Sequence, residues 1–166
     1  MEETIENIVN KVEFSKKQLF GEFLARCISV SDDSTKSTYA VHDNMVFRIS
    51  EFFKGFSSFQ NEYGKDKKYL AGVDALMAIC EELAVEMDKE ECFILYHLRD
   101  LGKFRMKETK LFDELKPLWQ RHKEFELDKQ DFSYALKSLM KKRFIEYRRG
   151  NLYLNPSVII RYRTRT

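Results

Sequence analysis

A change in hydrophobic period near the end of the chain constrains the fold more than any other feature. Over residues 128–144 the apolar residues recur at helical spacing, and Asp128 is placed to cap the start of that helix. The period then falls to two over Ile145, Tyr147, Leu152 and Leu154. Between these pairs the segment RRGN (148–151) supplies glycine and asparagine for a tight turn. The sequence therefore predicts a helix followed directly by a two-stranded β-hairpin.

The residues before this segment predict a short strand between two further helices. Residues 90–101 carry a helical pattern, and residues 104–107 form an extended piece after Gly102. A second helical pattern begins near Leu111 and contains Pro117, which predicts a kink. The predicted order is therefore helix, short strand, helix, helix and hairpin.

The first half of the chain is predicted to be helical. Amphipathic patterns place helices near residues 5–12, 19–28, 43–56 and 69–87, with a polar loop over residues 29–38. Hydrophobic residues make up 43% of the chain, with only six glycines and two prolines, which favours a compact helical protein. We expect a mainly α fold, with a helical region over residues 1–87 and a second domain over residues 88–166.

Charge is distributed unevenly along the chain. Residues 1–83 hold ten basic and fourteen acidic residues, a net −4, whereas residues 84–166 hold nineteen and thirteen, a net +6. From Lys137 onward there are nine basic residues and one acid, Glu146. Such a footprint attracts phosphates, although a solvated helix end with a basic tail produces the same count.

Three observations bear on the compartment. The first ten residues are acidic and polar, unlike a secretory or mitochondrial leader, and no stretch approaches 18 consecutive apolar residues. The three cysteines, Cys27, Cys80 and Cys92, are odd in number and include no CxxC spacing. We expect a cytoplasmic protein with reduced, mostly buried thiols and no contact with a membrane.

The element order and the segment DFSYALKSLMKKRFIEYRRGNLYLNPSVI give the second half a family likeness. Residues 88–160 resemble a winged-helix domain. The closing LYLNPSVI is similar to the end of the wing in plasmid replication initiators of this type and, more loosely, in MarR-like regulators. The resemblance implies three helices, a small β-hairpin wing and binding of double-stranded DNA by a regulator or replication-type factor.

That resemblance assigns roles by position. The third helix would enter the major groove and the wing would touch the backbone or minor groove. The residues so assigned are Gln130, Ser133, Lys137, Lys141, Lys142, Arg148, Arg149, Asn151, Arg161 and Arg163. The first half would then supply a homodimer interface. Asp128 and Asp131 at the start of the helix repel phosphate, which favours a non-specific or architectural role.

A second hypothesis makes the chain a non-catalytic subunit of a larger DNA-associated complex. Under this hypothesis the chain resembles the kleisin-interacting winged-helix proteins, which attach to chromosome-structuring ATPases or bacterial defence assemblies. The docking surface would be the aromatic stretch with Phe52, Phe53, Phe56 and Phe59, although a helical core explains the same spacing.

No arrangement typical of catalysis is present. The sequence contains no HExxH, no zinc-finger spacing, no GxGxxG or GxxxxGK[ST] loop and no GxSxG elbow. His97 is predicted to be a helix residue near the core. We expect no enzyme activity, no metal, no cofactor and no small-molecule substrate.

Overall fold

The chain divides into two compact units, described separately. The computed structural model describes residues 1–31, 42–60, 65–99, 105–122 and 127–163. One unit contains Met1–Met87 together with Pro156–Thr166, and the other contains Asp88–Asn155. The described residues are mainly helical, as predicted, with two small antiparallel sheets.

The described part of the first unit contains a three-stranded sheet and four helices. Its elements are α1 (Glu2–Lys11), α2 (Lys17–Cys27), β1 (Ile28–Ser31), β2 (His42–Phe47), α3 (Ile49–Gln60), α4 (Lys65–Glu82) and β6 (Val158–Arg163). The strand order is β1-β2-β6, with both pairings antiparallel. The ammonium group of Lys11, the last residue of α1, lies 2.8 Å from a carboxylate oxygen of Glu82 and 3.2 Å from one of Glu81, both in α4. Hydrogen bonds to Glu82, and less strongly to Glu81, raise the pKa of Lys11.

The prediction of a helix starting at Asp43 was wrong. Residues 42–47 form β2, and the helix begins only at Ile49. Met45 and Phe47 are buried while Val46 between them is not, which is the alternation of a strand. Helical spacing from Ile49 onward concealed this short alternation, and β2 gains its hydrogen bonds from β1 and β6, which are distant in sequence.

The aromatic stretch of α3 lies in the core of this unit, which corrects its assignment as a docking surface. Phe52 and Phe56 are fully buried, Phe53 is 6% exposed and Phe59 is half-buried. The rings of Phe52, Phe56 and Phe59 contact those of three other phenylalanines, Phe14, Phe20 and Phe23. A buried ring is inaccessible to a partner, so the helical-core explanation of the spacing accounts for the residues.

The second unit contains the predicted order of elements. These are α5 (Lys89–Leu98), β3 (Arg105–Lys107), α6 (Glu108–His122), α7 (Lys129–Lys141), β4 (Ile145–Arg148) and β5 (Asn151–Leu154). Pro117 lies inside α6. The strand order is β3-β5-β4, so the short early strand pairs with the second strand of the hairpin.

The end of the chain does not belong to this second unit, contrary to the predicted domain of residues 88–166. After Leu154 the chain leaves the hairpin, and Val158–Arg163 pairs with β2 in the first unit. The Ser50 N–H also donates to the Pro156 carbonyl, 3.1 Å away. Valine and isoleucine at positions 158–160 favour a strand, and the partner strand available to them is β2.

All three cysteines are free and buried, as predicted. Burial raises the pKa of the Cys27 thiol to about 12. We expect a thiol-modifying reagent at pH 8 to label none of the three in the native protein within minutes, because all three are buried and the raised pKa of Cys27 also suppresses its thiolate. Mass spectrometry of the denatured protein should show all three labelled, and rapid labelling of Cys27 before unfolding would contradict the buried site.

Candidate nucleic-acid interface

Helix α7 is held at its start by a side-chain cap and along its length by an apolar face. The Asp128 carboxylate accepts a hydrogen bond of 2.7 Å from the Asp131 N–H, as an N-cap should. Four residues face the core: Phe132, Ala135, Leu136 and Leu139. This leaves an exposed stripe that includes Gln130, Tyr134, Lys137 and Lys141, with Ser133 half-buried at its edge.

The first turn of α7 is electrostatically unfavourable for a phosphate. Burial raises the pKa of Glu90, at the start of α5, and the negative charges of Asp88 and Asp131 raise it further. Asp131 is therefore close enough to this acidic group to act on it. These carboxylates would repel a phosphate near the first turn. The later turns, with the exposed side chains of Lys137 and Lys141, are electrostatically more favourable for an anion.

An exposed tyrosine joins two of the predicted contact residues. The Gln130 side-chain amide donates to the Tyr134 hydroxyl at 3.4 Å, and the Lys137 ammonium lies 6.0 Å from the centre of the Tyr134 ring. Tyr134 is 60% exposed, an unusual exposure for so large an aromatic side chain on a helix. Its spacing of four from Gln130 and three from Lys137 already places Tyr134 on the same face in the sequence, although Tyr134 was not among the predicted contact residues.

Lys142, one of the predicted DNA contacts, has a structural partner within the unit. Its ammonium lies 2.8 Å from the Glu91 carboxylate, whose side chain is only 6% exposed. The Ser138 hydroxyl donates to the same oxygen at 3.1 Å. Because Ser138 and Lys142 are four residues apart, they share a face of the helix and together bind the α5 carboxylate. Lys142 therefore attaches α7 to α5.

The hairpin between β4 and β5 is a two-residue turn with an arginine at its tip. Arg148 pairs with Asn151, which leaves Arg149 and Gly150 as the central residues, with φ of 49° and 82°. Positive φ at both positions is the geometry of the hairpin turn that matches the twist of the strands. Arg148, which forms an ion pair with Glu146, and Arg149 are both exposed.

Arg105 and Lys107 of β3 are two further basic residues on the open face of the same sheet. Lys107 of β3 and Arg148 of β4 both pair with Asn151 of β5, so the three side chains share one face. Arg105 is exposed one pair further along, opposite Tyr153. Arg105 and Lys107 were not among the predicted contact residues. Their alternation around buried Met106 was the available signal, but the pairing with β5 is non-local and follows from the fold.

Two predicted contact residues lie elsewhere. Arg161 and Arg163 are in β6, opposite Asn44 and His42 of β2, and so belong to the first unit. The hairpin and α7 therefore do not continue into a basic tail within the second unit. The pattern-based prediction treated these residues as an extension of the hairpin, whereas they pair with β2.

The remaining predicted features concern metals, histidines and membranes. His97 is buried, as predicted, with its Nε2 atom 3.3 Å from a carboxylate oxygen of Glu114. Within the described ranges, no group of three histidine, cysteine, aspartate or glutamate side chains could hold a metal ion. In that same part of the chain, no helix is both long and apolar enough to cross a membrane.

Comparison with known proteins adds no assignment. No protein-family model, no curated protein and no solved structure matches the chain.

Proposed function

We propose that the second unit is a winged-helix domain that binds double-stranded DNA through α7 and the β4–β5 hairpin. The observation that carries the proposal is the β3-β5-β4 sheet beside α5, α6 and α7, with exposed basic residues on the last helix and on the hairpin. In winged-helix proteins that bind DNA, these are the elements that reach the major groove and the backbone. A fold alone does not determine function, so the proposal rests on the exposed basic residues of α7 and the hairpin.

The contact residues divide by their surroundings. Lys137 and Lys141 are exposed in the later turns of α7, away from the acidic group at its start, and suit phosphate contacts. Arg149 at the hairpin tip suits the backbone or a narrow minor groove. Lys107 and Arg148 extend the basic surface across the open face of the sheet. This set replaces Lys142, Arg161 and Arg163 as the proposed interface.

The balance of charges favours binding with little sequence preference. Gln130 is the side chain best suited to a base edge, yet its amide is bonded to Tyr134 and Asp131 is its neighbour. The proposed phosphate contacts outnumber it. Phosphate contacts position a protein on DNA without reading its sequence, so we infer a role as an architectural or auxiliary DNA-binding protein.

The charge-reversing variant Lys137→Glu/Arg149→Glu tests this function. We expect its affinity for a random 30-base-pair duplex at low salt to fall by about 100-fold or more, because two charge-assisted contacts are each worth about tenfold. The plot of log affinity against log salt should also become less steep, its slope shrinking in magnitude by about two, since each phosphate contact contributes about 0.9. Fluorescence anisotropy at several salt concentrations measures both quantities.

A matched control has the same change in net charge in the first unit. Lys16→Glu/Lys17→Glu alters two exposed lysines at the start of α2, where glutamate is compatible with the helix dipole. This control should retain most of the wild-type affinity. Absence of wild-type binding at low salt, or equal loss in both double variants, would contradict the proposed interface.

Of the four residues on which the docking hypothesis was based, three are buried and the fourth, Phe59, is half-buried. Phe52, Phe53 and Phe56 are in the core, so the described structure supplies no exposed aromatic patch there. We therefore advance DNA binding as the function.

A further inference from the structure

Two helices of the protein end in the same way. At the end of α7 the Phe144 N–H donates to the Leu139 carbonyl and the Arg143 N–H to the Met140 carbonyl, both at 3.0 Å. At the end of α4 the Val85 N–H donates to the Cys80 carbonyl at 2.8 Å, and the Ala84 N–H donates to the Glu81 carbonyl at 3.1 Å. This pair of bonds defines the Schellman motif, in which one residue adopts a left-handed conformation.

The left-handed residue differs between the two ends. It is Ala84 with φ of 57° after α4, and Arg143 with φ of 64° after α7. Glycine is the usual residue here because any Cβ clashes with the backbone in this conformation. Arginine therefore carries a conformational penalty that glycine would avoid.

The backbone around Arg143 is bonded in this conformation. The Asn155 side-chain amide donates to the Arg143 carbonyl at 2.6 Å, and the Asn155 N–H donates to the Phe144 carbonyl at 2.9 Å. These bonds connect the start of β4 to the end of β5. The fold therefore holds Arg143 in the left-handed conformation, and the strain persists at this position.

A second arginine in the same unit occupies a left-handed position. Arg149 has φ of 49° at the hairpin tip, so both such residues that bracket β4 are arginines. Both side chains are exposed, and within the described part of the unit neither forms a side-chain hydrogen bond or an ion pair. Packing or internal pairing therefore does not explain why arginine stands at position 143.

We propose that Arg143 is an additional contact residue that binds a DNA phosphate, and that its positive charge is retained at the expense of stability. This inference rests on the proposed function. Arg143 lies between exposed Lys141 of α7 and the hairpin arginines, so it would join the two groups of phosphate contacts along the chain. A guanidinium binds phosphate through paired hydrogen bonds and stays charged at every relevant pH.

The test compares Arg143→Gly with Ala84→Gly. Both changes relieve the same left-handed strain at the end of a helix, so both should raise the melting temperature by a few degrees. Only Arg143→Gly removes a charge. Its affinity for a random duplex should fall by about tenfold, and its salt slope by about 0.9, while Ala84→Gly should bind as the wild type does.

Two further variants separate the charge from the backbone. Arg143→Gln keeps a Cβ and the strain but removes the charge, so it should lose affinity as Arg143→Gly does, without the gain in melting temperature. Arg143→Lys should retain most of the salt slope. Losses in both neutral variants with rescue by lysine would support a phosphate contact.

Two results would overturn the inference, and they are distinguishable. If the wild type binds the duplex and Lys137→Glu/Arg149→Glu does not, yet both neutral Arg143 variants bind normally, the proposed function stands and the role of Arg143 is wrong. If the wild type itself does not bind at low salt, the proposed function fails and the inference fails with it.

Discussion

Phe56→Ala is expected to lower the free energy of unfolding by about 3–5 kcal/mol, the usual result of removing a buried phenylalanine ring. Phe56 is fully buried. Its ring stacks on Phe52 at a centroid distance of 4.9 Å and meets Phe14 edge-on at 5.6 Å and Phe20 at 6.2 Å. Urea denaturation followed by circular dichroism measures the change. It includes both the lost burial and the cavity left among the neighbouring rings.

Phe59→Ala is the matched control, because it lies on the same helix and also contacts Phe14 and Phe20. Phe59 is only half-buried, so its replacement should be clearly less destabilising than that of Phe56. Equal effects of the two variants, or a loss below about 1 kcal/mol for Phe56→Ala, would contradict the core position. That result would also restore the aromatic stretch of α3 as a candidate docking surface for a protein partner.

Lys142→Met should lower the free energy of unfolding by about 2–4 kcal/mol. It leaves the Glu91 carboxylate, which is 6% exposed, without the ammonium 2.8 Å away. We place the expected loss slightly below that of a wholly buried pair, since the Lys142 side chain is 24% exposed and water can replace part of the interaction. Trp119, the single tryptophan, is 2% exposed in α6, so its fluorescence during denaturation reports on this unit.

Two comparisons make this prediction specific. Lys141→Met removes an exposed lysine one residue earlier and should change stability by less than about 0.5 kcal/mol. The double variant Glu91→Leu/Lys142→Met removes both charges and should recover much of the stability lost in the single variant. If the single and double variants are equally unstable, the loss comes from the packing of the lysine chain and the ion pair contributes little.

The Glu91 network also distinguishes the paired lysine from the exposed lysine at the end of α7. Lys141 and Lys142 are adjacent in sequence and chemically identical, yet one is exposed and the other is paired with a buried carboxylate. Periodicity places Lys142 on the same side as Ser138, but it does not reveal that Glu91 of α5 lies opposite them. The contact joins residues about fifty positions apart and could be found only in the folded unit.

Expectations from sequence succeeded where the physical cause is local. Asp128 was predicted as a cap because its side chain reaches an N–H three residues away, and it does so at 2.7 Å. The turn at RRGN was predicted from glycine and asparagine, and Gly150 has the required positive φ. The hairpin and the helices of the second unit follow from the same short-range patterns.

Expectations failed where a distant strand decided the outcome. Residues 43–47 were predicted as helix and form a strand because β1 and β6 flank them. Val158 and Ile159 were predicted to close the wing, and Arg161 and Arg163 to contact DNA beyond it, but these residues form β6 because β2 offers a partner. In both cases the hydrogen bonds join segments far apart in sequence, and no local propensity specifies such a partner.

Periodicity, capping and charge act over a few residues, so the mainly helical character, the order of elements between residues 88 and 154 and the excess of basic residues near the end could be predicted from the sequence. Which basic residues are exposed, which belong to the first unit and which pair with a buried carboxylate could be seen only in the folded structure. Those outcomes depend on what packs against each side chain, and that is set by contacts between residues many positions apart.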